Sequence, residues 1–418
     1  MKNLPFVNLH YHPQDDLICL FKIIPNRISI EKAANTVALE SSVGTWTRIP
    51  NTDYVEKLKA KVFSIKEKGY VKIAYPKELF EYDNAPNILS SIAGNIFGMK
   101  SVKAIRLEDI SFPKVILRAF KGPRYGIKGI RKMMKIKSRP LVGTIIKPKL
   151  GLKTKDHAQS AYESWIGGCD IVKDDENLSS QKFNEFGLRL AKTLEMADKA
   201  QSETGEKKAY LVNVTAETME MIKRAQLAER MGSEYIMVDI LTAGWAALQT
   251  LREANFKMAI HAHRAMHAAL DRNPNHGMAM MVIADFARLI GVDQIHIGTG
   301  IGKLEGDIKD IEEIKQEIEQ KKVLVTKKRL EQNWGGIKSV LGVSSGGLHP
   351  GHVPFLIKHL GKDLVIQAGG GIHGHPYGTK AGAIAMRQAV DAVMKDESLK
   401  EYAKNHVELE EALRKWKV

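Results

Sequence analysis

From Pro140 onward the chain repeats one pattern, and this repeat limits its possible folds more than any other feature. Short apolar runs alternate with segments of helical period. The runs are Leu141–Ile146, Asp170–Lys173, Ala209–Asn213, Tyr235–Asp239, Met258–His261, Gln294–Ile297, Ser339–Val343 and Leu364–Gln367. The segments between them include Gln181–Ala200, Glu217–Met231, Ala243–Glu253, Met278–Ile290 and Lys380–Met394. Strands that alternate with helices predict a parallel sheet, because a parallel crossover needs a helix-sized connection. Eight such units fit a closed (β/α)8 barrel better than an open sheet. The segment after Ser398 reads as a C-terminal capping helix.

The first part of the chain has a different texture. Leu17–Ile24, Ala60–Ile73 and Val102–Leu107 contain strand-like runs, the second turning at Lys68-Gly69. Ile30–Leu39 and Asn87–Ile92 have helical period. The expectation is a small α+β domain, ferredoxin-like, over residues 1–125, followed by the barrel domain over 126–418. Lys121-Gly122-Pro123 marks the linker.

A chain of 418 residues with 44% hydrophobic and 27% charged residues has the composition of a globular protein. No apolar run is long enough to span a bilayer and no signal-type segment is evident, so a cytoplasmic protein is expected. Two cysteines far apart, Cys19 and Cys169, exclude a disulfide framework. The net charge of +15 suits either nucleic acid or a small anionic substrate. The basic residues form no aromatic-interleaved stripe, so nucleic-acid binding is not expected. The basic run Lys321 to Arg329 follows the acidic run Glu312 to Glu319, which reads as a solvated helix face.

Barrel enzymes take their catalytic groups from the C-terminal ends of several strands. The first such end offers Lys147-Pro148-Lys149, two lysines that face an anionic ligand or, more plainly, solvent. The second offers Lys173-Asp174-Asp175-Glu176. Strand period places Lys173 and Asp175 on one face. Two carboxylates suit a hard ion such as Mg²⁺. The plain alternative is a Lys–Asp salt bridge, since an ammonium cannot ligate a metal. The fifth end offers His261-Ala262-His263-Arg264, with His267 and His276 beyond. An imidazole can act as a base and Arg can grip a phosphate; a zinc site is the rival reading. The sixth gives His296 and then Gly300-Ile301-Gly302-Lys303, a mobile lid or an ordinary glycine turn. The seventh and eighth give Ser344-Ser345-Gly346-Gly347 and Gly369-Gly370-Gly371. Glycine clusters on these two consecutive units point to phosphate binding.

Together these residues closely resemble the large subunit of ribulose-1,5-bisphosphate carboxylase/oxygenase (RuBisCO). The motifs that bear the resemblance are Gly143–Lys149, Gly167–Asn177, His263–Ala268, Gly302–Gly306 and Ser345–Gly347, and the likeness spans nearly the whole chain. The resemblance implies a lyase that fixes CO₂ on ribulose 1,5-bisphosphate and yields two 3-phosphoglycerates through a Mg²⁺-stabilised enediolate, with O₂ competing as in a monooxygenase. It implies that Lys173 carries a CO₂-derived carbamate and binds Mg²⁺ with Asp175 and Glu176. Lys147, His263 and Lys303 would be catalytic, Lys303 from the closing loop. Lys149, Arg264, His296, Ser345, Gly346, Gly347, Gln367, Gly369, Gly370, Thr45 and Trp46 would bind the substrate. Glu40 and Asn95 would reach the site of a neighbouring chain, so a homodimer is the smallest active unit, alone or in an assembly of dimers. The trimmed hairpin after Trp46 and the short C-terminus are most similar to the archaeal-type form III enzymes. That group works without small subunits and serves AMP salvage.

Two other readings compete. A RuBisCO-like enolase or isomerase of methionine salvage would keep the metal lysine but lose several of Lys147, His263, His296, Lys303, Ser345, Glu40 and Asn95, all of which are present. A basic binding protein would show salt-sensitive affinity for nucleic acid and no carboxylase activity.

Overall fold

The structure is a computed structural model that describes residues 4–45, 47, 52–303 and 306–418. It divides into two compact units. One comprises Met1–Gly122, Met266–Ile290 and Gln320–Ile337; the other comprises Pro123–Ala265, Gly291–Glu319 and Lys338–Val418.

The first unit is built on β1 (Leu17–Pro25), α1 (Ile30–Glu40), β2 (Lys61–Ile65), β3 (Tyr70–Tyr75), α2 (Ala85–Ile92) and β4 (Val102–Ser111). These four strands stand in the order β4-β1-β3-β2, antiparallel to one another, and a two-residue strand, Gly277–Met278, pairs parallel to β4 at the edge. This β-α-β-β-α-β arrangement is the ferredoxin-like one that the sequence predicts. Ser29 caps α1 by accepting from the Lys32 N–H, and Asn84 caps α2 by accepting from Asn87. Lys68 and Gly69 both take positive φ at the expected β2–β3 turn. The helix Met280–Ile290 belongs to this unit, and every one of its residues is buried. Its Phe286 meets Phe112 edge-on.

The second unit is a closed barrel. Its strands are β5 (Leu141–Ile145), β6 (Ile171–Lys173), β7 (Ala209–Asn213), β8 (Tyr235–Asp239), β9 (Ala259–His263), β10 (Gln294–His296), β11 (Leu341–Ser345) and β12 (Leu364–Gln367). They are joined in that order, each parallel to its neighbours, and β12 returns to β5. Leu141, Ile171, Ala209, Leu211, Tyr235, Met237, Ala259, Leu341, Val343 and Val365 fill the interior. Ile127, Ile130 and Met134 of the short helix Gly126–Met134 pack on the same cluster. These interior residues follow a period of two along each strand. One further step along that period reaches Lys173, Asn213, Asp239, His261 and Gln367, so the apolar layer gives way to a polar one toward the strand ends.

The strands Ala209–Asn213, Tyr235–Asp239 and Leu364–Gln367 have the expected bounds. β9 runs two residues further than expected, because His263 still pairs with Asp239 of β8. The helices Thr154–Ile166 and Val353–Leu360 were not foreseen, and Ile308–Glu319 was legible only as an acidic face. No helix among the described residues is long and apolar enough to cross a membrane.

Candidate active site

Lys173 closes β6 with its side chain inside the barrel, fully buried. Its ammonium donates to the Asp174 carbonyl at 2.7 Å and lies 3.1 Å from Met237 Sδ and 3.5 Å from Glu176 Oε2. Burial pulls its pKa below the ordinary lysine value, against the opposing pull of Glu176, Asp239 and Asp175. Asp175 accepts from Lys147 Nζ at 2.6 Å and from the Asn177 backbone and side-chain N–H groups. Burial works against the Glu176 carboxylate, yet Lys173, His263 and Lys147 together bring its pKa down to about 2. Glu176 is therefore ionised, and each of the two carboxylates faces a lysine.

Asp174 faces the other way, as strand period predicts. It is buried against Tyr210, Arg189 and His157, and accepts from the Asn213 N–H at 3.0 Å. Burial opposes its charge, but Arg189 and His157 hold its carboxyl below the usual carboxylate range. Arg189 also donates to the carbonyls of Asn184 and Ser179, and Asn213 Nδ2 donates to those of Glu176 and Leu178. This network holds from behind the turn that presents Asp175 and Glu176.

Three imidazoles line the next wall. His263 Nδ1 lies 2.6 Å from Asp239 Oδ1, and its Nε2 faces Glu176 at 3.6 Å. His261 Nε2 lies 2.9 Å from His296 Nε2, and His296 Nδ1 lies 2.8 Å from Ser345 Oγ. The loop carrying Lys303 lies against the loop after β11: the Lys303 N–H donates to Gly346 O at 3.4 Å. A Cβ on Gly347, whose φ is +72°, would stand 2.7 Å from Lys303 Cγ. A Cβ on Gly369 would stand 3.0 Å from Lys147 Cε, which places this loop against the Lys147 side chain.

Matches to known proteins cover both units. Residues 5–116 match the family model for the ribulose bisphosphate carboxylase large chain, N-terminal domain, and residues 126–416 match that for its catalytic domain. The chain belongs to the RuBisCO large-chain family. The ribulose bisphosphate carboxylase of Methanocaldococcus jannaschii is 51% identical, over 99% of this chain and 100% of its own length. That of Pyrococcus abyssi is 49% identical over 99% and 96%. Among solved structures, a dimeric archaeal Rubisco from Hyperthermus butylicus superposes with a TM-score of 0.94 at 47% identity, covering 99% of each chain. An octameric Rubisco from Pyrococcus horikoshii gives 0.92 at 46%, covering 99% of this chain and 96% of that one. The chain is thus an enzyme of this family, as the sequence motifs implied.

Lys147, Lys173, Asp175, Glu176, His263, His296, Ser345 and Gly369 come together at the ends of the barrel strands of this RuBisCO-family chain. Arg264 lies beside Gly298, whose Cβ position is 3.3 Å from the guanidinium. Gln367 is buried in the barrel, and neither side-chain atom has a hydrogen-bond partner among the described residues. Lys149 is exposed, as is Gly370. Glu40 and Asn95 sit in the first unit, where Asn95 Nδ2 donates to Glu40 Oε1 at 3.3 Å. Thr45 is half-buried in the same unit, and Trp46 lies outside the described residues. His267 Nδ1 pairs with Asp271 at 3.1 Å. Among the described residues, no three His, Cys, Asp or Glu side chains are placed to hold a metal. Asp239, Gln294, Arg189 and Asn213 were not singled out in the sequence. The interior period of two on β7, β8 and β10 was the signal that could have found Asn213, Asp239 and Gln294.

Proposed function

We propose that this enzyme carboxylates ribulose 1,5-bisphosphate to two 3-phosphoglycerates, with O₂ as a competing substrate, and that it serves AMP salvage as a homodimer or an assembly of dimers without small subunits. The observation that carries this reading is the buried Lys173 beside the Asp175 and Glu176 carboxylates, each within reach of a lysine. Asp175 and Glu176 alone give a metal too few ligands. Lys173 supplies the third once its amine adds to CO₂ and loses a proton, becoming a carbamate with anionic oxygens. Burial favours the neutral amine that this addition needs. The donor set, three oxygen anions, then fits Mg²⁺. When bound there, Mg²⁺ supplies electrostatic stabilisation of negative charge developing on the sugar oxygens.

The remaining roles fall to the chain's own groups. In this reading the Lys173 carbamate would take the C3 proton, leaving an enediolate that attacks CO₂. Lys147 holds a proton next to Asp175, and Asp239 orients His263 so that its Nε2 faces the cluster. Both are suited to move protons to and from sugar oxygens. Lys303, on the loop that lies over Gly346 and Gly347, covers the reacting centre and excludes water. Arg264 and the glycine loops after β11 and β12 bind the phosphates, and Glu40 and Asn95 complete the site of the neighbouring chain.

After preincubation with bicarbonate and Mg²⁺, the protein is expected to form 3-phosphoglycerate from ribulose 1,5-bisphosphate in a CO₂-dependent manner. Turnover of a thiopentulose phosphate, with none of the bisphosphate, would instead establish the salvage enolase or isomerase.

A further inference from the structure

Glu40 and Asn95 are each held from behind by a group that stands far from them in sequence. Glu40 ends α1, and Asn95 opens the helical turn Asn95–Gly98, from which its Nδ2 donates to Glu40 Oε1 at 3.3 Å. On the reading that Glu40 and Asn95 complete the neighbouring chain's site, we propose that Tyr75 and His276 are the positioning residues for this pair. Tyr75 fixes Glu40 and His276 fixes Asn95, so both act on the barrel of the neighbouring chain rather than on their own.

Asn95 has little to hold it locally. Its turn is a single one that follows Gly94 and ends at Gly98, it has no side-chain cap, and Asn95 is exposed. Two contacts fix the turn. Ile96 is buried, and the Phe97 ring meets the His276 ring edge-on, with centroids 5.8 Å apart and planes at 76°. His276 is a firm support because β4 holds the segment that carries it. The Ile105 N–H is directed at His276 Nδ1 at 3.5 Å, and Gly277 and Met278 pair with Arg106 and Leu107. The Arg106 guanidinium donates to the carbonyls of Asp271 at 2.9 Å and Asn273 at 2.8 Å.

Glu40 is fixed through the residue after it. Ser41 is buried and spends its one hydroxyl proton on Val37 O at 2.6 Å. Its bond to Tyr75 OH, at 2.9 Å, therefore takes the phenol as donor. Tyr75 is fully buried on β3, and burial holds its pKa well above the ordinary value, so the phenol keeps that proton. Its ring lies edge-on to Phe80. The end of α1 is thus tied to the sheet one residue beyond Glu40. Both anchors belong to the first unit, as the pair does.

Mixed dimers separate action on the neighbour from action within the chain. Lys173→Ala and Glu40→Ala chains, co-expressed with two different affinity tags and purified together, have one working site. It consists of the barrel of the Glu40→Ala chain with the Glu40 and Asn95 of the Lys173→Ala chain. His276→Ala is then added to one chain or the other. On the Lys173→Ala chain it is expected to lower carboxylation of ribulose 1,5-bisphosphate about tenfold, and on the Glu40→Ala chain by less than about twofold, because only the first placement displaces a group at the working site. Tyr75→Phe removes the hydroxyl and keeps the ring packing. It is expected to show the same asymmetry with a loss of about threefold, the scale of one hydrogen bond. Equal losses from both placements, the mark of a general role in folding, would overturn the proposal, as would no loss from either. An inactive parent pair would overturn the shared-site reading and the proposal with it.

Discussion

Lys173 illustrates how one residue's meaning depends on its surroundings. In sequence it has two readings, salt-bridge partner or metal ligand, and the Lys173–Glu176 and Lys147–Asp175 pairs show that the first holds in the unmodified chain. The second needs CO₂ to reverse the charge on a fully buried amine. Lys173 and its two carboxylates were legible because three ionisable groups crowd one strand end. Asp239 and Gln294 were not, because each stands alone in its run and acquires a role only through a histidine on β9. Arg189 was equally hidden: it lies fifteen positions from Asp174 in a helix and reads as a surface charge. Arg189→Met would leave Asp174 ionised and buried without its main counter-charge. It is expected to cost about 3–5 kcal/mol of unfolding free energy, measured by urea denaturation, and to weaken Mg²⁺-dependent activation by loosening the Asp175–Glu176 turn.

At the scale of elements, the barrel strands were the most legible part of the chain. Buried parallel strands are continuous apolar runs, and short turns bound them on both sides. The helices were harder to find. Thr154–Ile166 buries His157 and Ser164 along with its alanines and Trp165, so its inner face does not look apolar in sequence. The loops after β10 and β11 could be recognised as glycine-rich, but nothing in their sequences says that one lies on the other. That packing makes Gly347 doubly constrained, by its positive φ and by Lys303. Gly347→Ala is expected to cost only ~1–2 kcal/mol of stability. The same change should lower kcat/KM for ribulose 1,5-bisphosphate by about tenfold or more, since a displacement of that loop costs roughly this much in rate.

At the scale of the whole molecule, the proposed site draws residues from two chains. Glu40 and Asn95 pair with each other at the end of α1 and beyond α2, and the account gives them to a neighbour's barrel. A mixture of Lys173→Ala and Glu40→Ala chains tests this arrangement. Each variant alone should be inactive. After unfolding and refolding together, mixed dimers should regain activity, because one of their two sites then has an intact Lys173 and an intact Glu40; failure to complement would place Glu40 outside a shared site. The net charge of +15 is consistent with a bisphosphate substrate, since a positive field draws such an anion toward the molecule.

The central claim is that a carbamate on Lys173 makes this chain a carboxylase, and one comparison tests it most directly. Wild type and Lys173→Ala are preincubated with bicarbonate and Mg²⁺ and assayed side by side for CO₂-dependent 3-phosphoglycerate. Loss of the metal's charge stabilisation is worth about 4 kcal/mol or more, so the variant should retain at most about a thousandth of wild-type activity, with an unchanged circular dichroism spectrum. A folded Lys173→Ala protein as active as wild type would contradict the account.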